Sequence, residues 1–218
     1  MTAIFTPPSD FCIPTERLHI SYLEPGNPSH SAFLHHLWNT DDFRQSEGDT
    51  GINTPDKAGE FIARKVQRDY NRNRYGQMLV SLRPYPQASL AESRPIGIVS
   101  LMKGEAPKAY TAPDVGYTIL PEESGKGYAT EAAIGLIAYA RRELGVEGVF
   151  GFCSWTDQRS RRVLEKIGLE LRGERRLKVF GGAHSAVYAF PGMEEDLRVY
   201  GIDNDDDDDN DKTGSQQH

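Results

Sequence analysis

Apolar residues recur along this chain with two periods, and the period switches wherever turn residues interrupt it. Leu18, Ile20 and Tyr22 alternate with polar neighbours, the spacing of a first strand buried on one face. Phe33, Leu34, Leu37 and Trp38 then fall at helical spacing within residues 31–39. Thr54-Pro55-Asp56 supplies an N-cap, a first-turn proline and a first-turn acid, so a second helix starts there. Ala58, Phe61, Ile62 and Val66 form its buried stripe, which ends near residues 71–73. Strand patterns over 77–82 and 96–102 flank a Pro-rich loop at 83–95. A fourth strand over 115–120 leads to a long Ala-rich helix at 130–144, closed by Gly145. A fifth strand at 149–155 precedes an amphipathic helix at 158–167 that Gly168 ends. Closing strands are expected at 169–172, 175–179 and 186–190, with Gly181-Gly182 as a turn, then a short helix at 194–199. Residues 1–13 read as a loose lead-in. The pattern predicts an α/β (α+β) chain with one folded domain and no internal repeat.

The fourth strand ends in a turn holding Gly125 and Gly127, and the long helix follows at once. Two glycines around one residue let the backbone pass close to a ligand and aim successive amides outward. The helix start adds unpaired N–H groups and the positive end of its dipole, which together make a pyrophosphate site. Lys126 offers a further charge there or is simply solvated.

The run Glu122-x-x-Gly125-x-Gly127 and the later Asp157-x-x-Ser160-x-Arg162-Val-Leu-Glu-Lys-x-Gly168-Leu169 together resemble the GNAT acyltransferase superfamily. Thr15-Glu16-Arg17-Leu18-x-Ile20 and Pro95-Ile-Gly97-x-Val-Ser-Leu101 resemble strands of its Rim-type branch, which includes enzymes acetylating ribosomal-protein N-termini. The resemblance spans residues 14–192. It implies a central, mostly antiparallel mixed sheet of about seven strands, splayed between the fourth and fifth and flanked by about four helices. The domain then covers 14–200, with an acidic disordered tail at 201–218.

The implied activity is transfer of an acetyl group from acetyl-coenzyme A to a primary amine, on a protein N-terminus or a small molecule. An alternative is a coenzyme A-binding regulatory module without catalysis, suggested by Glu122 where relatives place Gln or Arg, by Asp157 where they place Asn, and by Leu164 where many place a Tyr acid. The resemblance puts the diphosphate on the amides of Gly125, Lys126, Gly127, Tyr128, Ala129 and Thr130, and the pantetheine arm along Tyr117, Ile119 and Leu120. Asp157 either contacts that arm or caps its helix. Ser160 either assists the leaving thiolate or is a first-turn helix residue. Acyl transfer also needs a neutral amine. Asp114 is the candidate base, its alternative being a turn aspartate after Pro113, and Tyr117 is a further candidate for proton transfer. Glu131 is expected to stabilise the helix dipole, and His35 and His36 border the expected acceptor cleft.

At 218 residues the chain is long enough for a sizeable core. Seven aspartates between Asp203 and Asp211 account for the whole formal charge of −7, so the folded part is nearly neutral and no basic nucleic-acid footprint is expected. Cys12 and Cys153, without an export signal, read as reduced thiols in a cytoplasmic protein, monomeric or homodimeric. No window is apolar enough for a membrane span, nothing has metal-ligand spacing, and no Gly-x-x-x-x-Gly-Lys-Ser/Thr run points to a nucleotidase.

Overall fold

The computed structural model describes residues 5–105 and 109–202. The acidic run expected as a disordered tail lies outside the described residues. Contacts group the chain into two compact units. One comprises the described residues of Met1–Met102 and Asp114–Glu147, the other those of Lys103–Pro113 and Gly148–His218.

The first unit holds five antiparallel strands in chain order: β1 (Ile13–Pro14), β2 (Leu18–Tyr22), β3 (Gln77–Leu82), β4 (Arg94–Met102) and β5 (Asp114–Ile119). Its helices are α1 (Pro28–Trp38), α2 (Asp41–Glu47), α3 (Pro55–Phe61), α4 (Gln67–Asn73) and α5 (Tyr128–Leu144). A π-helical turn at Ile62–Val66 joins α3 to α4 without a break. Asn27, Thr40 and Thr54 cap α1, α2 and α3 through side-chain oxygens that accept backbone N–H bonds. Ile20, Val80 and Val99 are fully buried in the sheet, and α5 contributes Ala132, Ala133, Leu136 and Ala140 to the same core. Gly135 lets α5 approach β2, because a Cβ there would stand 3.3 Å from the Ile20 side chain.

The expected loose lead-in is packed over its described part. Phe11 lies 4.7 Å from the Tyr22 ring and 5.4 Å from that of Tyr139 in α5. Arg74 covers Phe5 at 4.2 Å. Aromatic side chains bury enough area to hold such a segment without regular structure. Helix α2, absent from the pattern reading, buries only Phe43, which stacks on Trp38 at 5.6 Å.

The second unit holds β6 (Phe150–Ser154), α6 (Gln158–Lys166), β7 (Glu170–Leu177) and β8 (Ala183–Ala189), with β8 between β6 and β7 and both pairings antiparallel. The two closing strands expected at 169–172 and 175–179 are one strand, β7, whose register shifts between Leu171 and Glu174. The extra residue of that bulge breaks the alternation, which is why the strand reads as two. Tyr110, Phe150, Leu177, Val187, Ala189, Met193, Leu197 and Ile202 form the core of this unit. Ile202 is 1 % exposed and its N–H bonds the Leu197 carbonyl at 3.2 Å. Gly201 and Ile202 therefore belong to the folded part, and the tail boundary expected at 201 is too early. Among the described residues no helix is long and apolar enough to cross a membrane.

Candidate functional site

The turn between β5 and α5 is built to leave amides open. Gly125 and Gly127 both have positive φ, 79° and 85°, a region that favours glycine. Gly127 is the N-cap of α5 and has no side chain to bond the first helical N–H groups. The amides of Tyr128, Ala129 and Thr130 therefore lack the capping partner that Thr54 gives α3. A chain of 17 helical residues stands behind them, with its dipole positive at this end.

Two ion-pair clusters fix the turn in place. Glu123, 7 % exposed, binds Lys126 Nζ at 2.8 Å and Arg94 at 2.6 Å. Lys126 first and then Arg94 hold its carboxyl below the usual carboxylate range. The Lys126 ammonium is thus engaged by Glu123, and the turn's readiest donors are its backbone amides. Glu122, the acid in the signature position, is exposed.

Glu131 in the first turn of α5 accepts bonds from Thr15 Oγ1 at 2.6 Å, from the Arg17 amide at 2.7 Å and from Arg17 Nε at 2.6 Å. Burial opposes its ionisation, but these bonds and the Arg17 charge win, and its carboxyl lies lower than usual. It is a structural anion unsuited to take a proton. Arg17 also donates to the Lys126 carbonyl at 3.0 Å and lies 4.6 Å over the Tyr128 ring. Arg17, Arg94 and Glu123 were not anticipated as parts of this site. The Thr15-Glu16-Arg17 run is visible in sequence, but its partner lies 114 residues on.

On β5 the candidate residues divide between two faces. In an antiparallel pair, opposed residues share a face and neighbours alternate. The register Val99↔Tyr117 and Gly97↔Ile119 puts Tyr117 and Ile119 with Val115 on one face. Asp114, Gly116 and Thr118 lie on the other, beside Met102, Ser100 and Ile98. Asp114 and Tyr117 are therefore not neighbours in one row. Asp114 is half-buried, and burial pushes its carboxyl up to about 7 against a bond from its own backbone N–H. Leu120 is 4 % exposed. Its N–H is taken by the Ile96 carbonyl at 2.9 Å, and its own carbonyl accepts from the Glu123 amide at 2.9 Å. It supports the turn and offers no backbone donor to a ligand. Two rows further, Gln77 pairs with Ser100, and its buried Oε1 has no hydrogen-bond partner.

In the second unit, Asp157 and Ser160 are brought together. Asp157 N-caps α6, its Oδ1 accepting from the amides of Arg159 and Ser160 at 3.0 Å each. The Ser160 hydroxyl donates to Asp157 Oδ2 at 2.6 Å. Burial raises the Asp157 carboxyl, but the bonds from Ser160 and Arg159 outweigh it and the net shift is downward. Both bland expectations, a capping aspartate and a first-turn serine, thus hold geometrically. Leu164, where many relatives place a Tyr, is 1 % exposed and packs against Gly151 of β6, where a Cβ would stand 3.2 Å from Leu164 Cδ1. Arg161 donates to Tyr188 Oη at 3.1 Å and stacks 4.6 Å over Trp155, while Tyr188 donates to Glu165 at 3.2 Å. No group of three or more His, Cys, Asp or Glu side chains among the described residues is arranged to hold a metal ion.

Comparison with known proteins identifies the family. An uncharacterized N-acetyltransferase, YnaD of Bacillus subtilis (strain 168), is 32 % identical over 60 residues, which is 28 % of this chain and only 35 % of that relative. The ribosomal-protein-S5-alanine acetyltransferase of Vibrio fischeri superposes with a TM-score of 0.63 at 17 % identity, covering 83 % of this chain and 96 % of that one. The microcin C7 self-immunity acetyltransferase MccE, solved with acetyl-CoA and AMP, gives 0.62 at 18 % identity, covering 80 % and 92 %. At such identities the two structures speak for the fold. The family model described as "Acetyltransferase (GNAT) domain" matches residues 22–170, from the end of β2 to the start of β7, and the chain belongs to the GNAT acetyltransferase family.

Proposed function

We propose that this protein transfers an acetyl group from acetyl-coenzyme A to a primary amine, on a protein N-terminus or a small molecule. The observation that carries the reading is the uncapped start of α5 behind two positive-φ glycines, clamped by the Arg17–Glu131 and Glu123–Lys126 contacts. A diphosphate suits such a cradle, since the first amides of a helix point out of its start, the dipole favours an anion and the positive φ of Gly127 favours a residue without a side chain there. The amides from Gly125 to Thr130 would hold the diphosphate, and Tyr117 and Ile119 would line the arm. When bound, the cosubstrate supplies an activated acyl thioester.

Asp114 is the proposed base. With its carboxyl near 7 it is ionised in mildly alkaline solution and basic enough to take a proton from an ammonium group. Ser160 is the proposed relay of a proton to the departing sulfur, its hydroxyl recovering one from solvent as it gives its own up. Its hydroxyl proton rests on Asp157 Oδ2, so the hydroxyl must rotate to donate. The test is free-thiol release from acetyl-coenzyme A with a panel of N-terminal peptides, polyamines and amine antibiotics, beside thermal shifts with coenzyme A and ATP. Release with one class of amine and stabilisation by coenzyme A alone is the expected result. Stabilisation without release across the panel would leave a coenzyme A-binding module.

A further inference from the structure

A cleft of about 420 Å³ on the first unit shares no lining residue with the phosphate turn or β5. Lys57, Glu60 and Phe61 of α3 and Arg64 and Lys65 of the π-helical turn line it together with Gly51 and Ile52. The cleft is shallow and open to solvent, and its lining combines apolar surface with a few charged groups. Phe61 supplies the apolar floor, held edge-on by Trp38 at 5.1 Å.

The cations are not equivalent. Lys65 is held by the buried carboxylate of Asp69 at 2.6 Å, which it shares with Arg72 at 3.1 Å. Among the described residues Lys57 Nζ donates to neutral oxygens, Asn53 Oδ1 at 3.0 Å and the Gly51 carbonyl at 3.4 Å, and no carboxylate pairs with it directly. Arg64 is exposed, and its guanidinium has no bond or ion pair with a described residue. A planar guanidinium with its donors open matches a carboxylate bidentately. Glu60 is the one carboxylate of the lining, on the same helical face as both cations, and weakens the field they present.

We propose that this cleft seats an acidic side chain of a peptide acceptor, its carboxylate on Arg64 beside Lys57 and its aliphatic stem on Phe61 and Ile52. This rests on the reading that the protein acetylates an amine, and it selects an acidic N-terminal segment over a polycationic amine, which Lys57 and Arg64 would repel.

The test uses the full chain and two dye-labelled octapeptides of identical N-terminus, one with Glu at its second and third positions and one with Gln. Fluorescence anisotropy should show the Glu peptide binding roughly 10-fold more tightly at low salt, with the advantage shrinking as salt screens it. Arg64→Glu should abolish the preference, and Glu60→Gln should raise it about 3-fold. Both variants should keep the thermal shift with coenzyme A. If Arg64→Glu loses that shift, Arg64→Gln takes its place. Equal binding of the two peptides, or a preference that survives loss of Arg64, overturns the proposal. Thiol release is measured in parallel: an acidic preference in binding without release refutes transfer but supports the cleft, and release without the preference does the reverse.

Discussion

Replacing Asp114 by Asn should make the protein more stable and less active, and only above a certain pH. The carboxyl moves from 3.8 to about 7 on folding, a rise of about three units, because burial disfavours its charge. Its folded value lies above its unfolded value, so the native state binds this proton more tightly. That contribution is complete below about 3.8 and is lost as pH climbs to about 7. Three units correspond to about 4 kcal/mol as an upper bound, and water at this half-buried side chain reduces it to about 1–2 kcal/mol. Asn is nearly isosteric and carries no charge. Asp114→Asn should therefore match the parent near pH 4 and exceed it by about 1–2 kcal/mol at pH 8, or roughly 3–6 °C in melting temperature for a chain of this size. Paired melting curves at the two pH values, without ligand, measure the difference. The same variant should lose about 10²-fold or more in kcat/KM at pH 8, and the low-pH limb of the parent's rate profile, bending near 7, should vanish. A stability difference that does not vary with pH would refute the burial argument. A limb near 7 that persists in the variant would put the base elsewhere.

Gly127→Val must adopt a φ of 85° and places a Cβ 3.4 Å from Arg17, so the thermal shift with coenzyme A should disappear; an undiminished shift would mean that the diphosphate binds at another place. Ser160→Ala should lower turnover about 10-fold with little change in the KM for acetyl-coenzyme A, measured by thiol release at saturating amine, and unchanged turnover would transfer the proton to water. Ile202→Ala, or a chain ended after Gly201, should cost about 2–4 kcal/mol, read by urea denaturation, because Ile202 is 1 % exposed in the second core; a loss under about 1 kcal/mol would show that this core closes without it.

What the sequence revealed was local, and what it hid was pairing between distant segments. The alternation of Leu18, Ile20 and Tyr22, the Thr54 cap and the Gly145 stop each depend on near neighbours, and β2, α3 and α5 stand close to where they were expected. Helix α2 escaped because one buried residue, Phe43, gives no periodicity, although Thr40-Asp41-Asp42 is a readable start. Segment 5–13 is held by rings from β2 and α5, which no local pattern encodes. Within the candidate site the Gly125-x-Gly127 turn was fully legible. That Lys126 faces Glu123, or that Ser160 points at Asp157, is decided among several charged and polar neighbours by three-dimensional proximity. The division of Asp114 and Tyr117 between two faces was implicit in their spacing of three, since strand residues alternate.

The bonds from Thr15 and Arg17 to Glu131 make the start of the chain a thermodynamic reporter on the phosphate turn. Any opening of this segment that exchanges the Arg17 amide must first break its bond to Glu131, in the first turn of the helix that starts at the phosphate turn. A ligand that needs the turn in place must then slow that exchange by the factor with which it stabilises the closed form. Amide exchange at Arg17 and Leu18, at the entry to β2, becomes a measure of occupancy at a turn more than a hundred residues downstream. By the same reciprocity, a substitution confined to Thr15 weakens ligand affinity while touching no ligand atom.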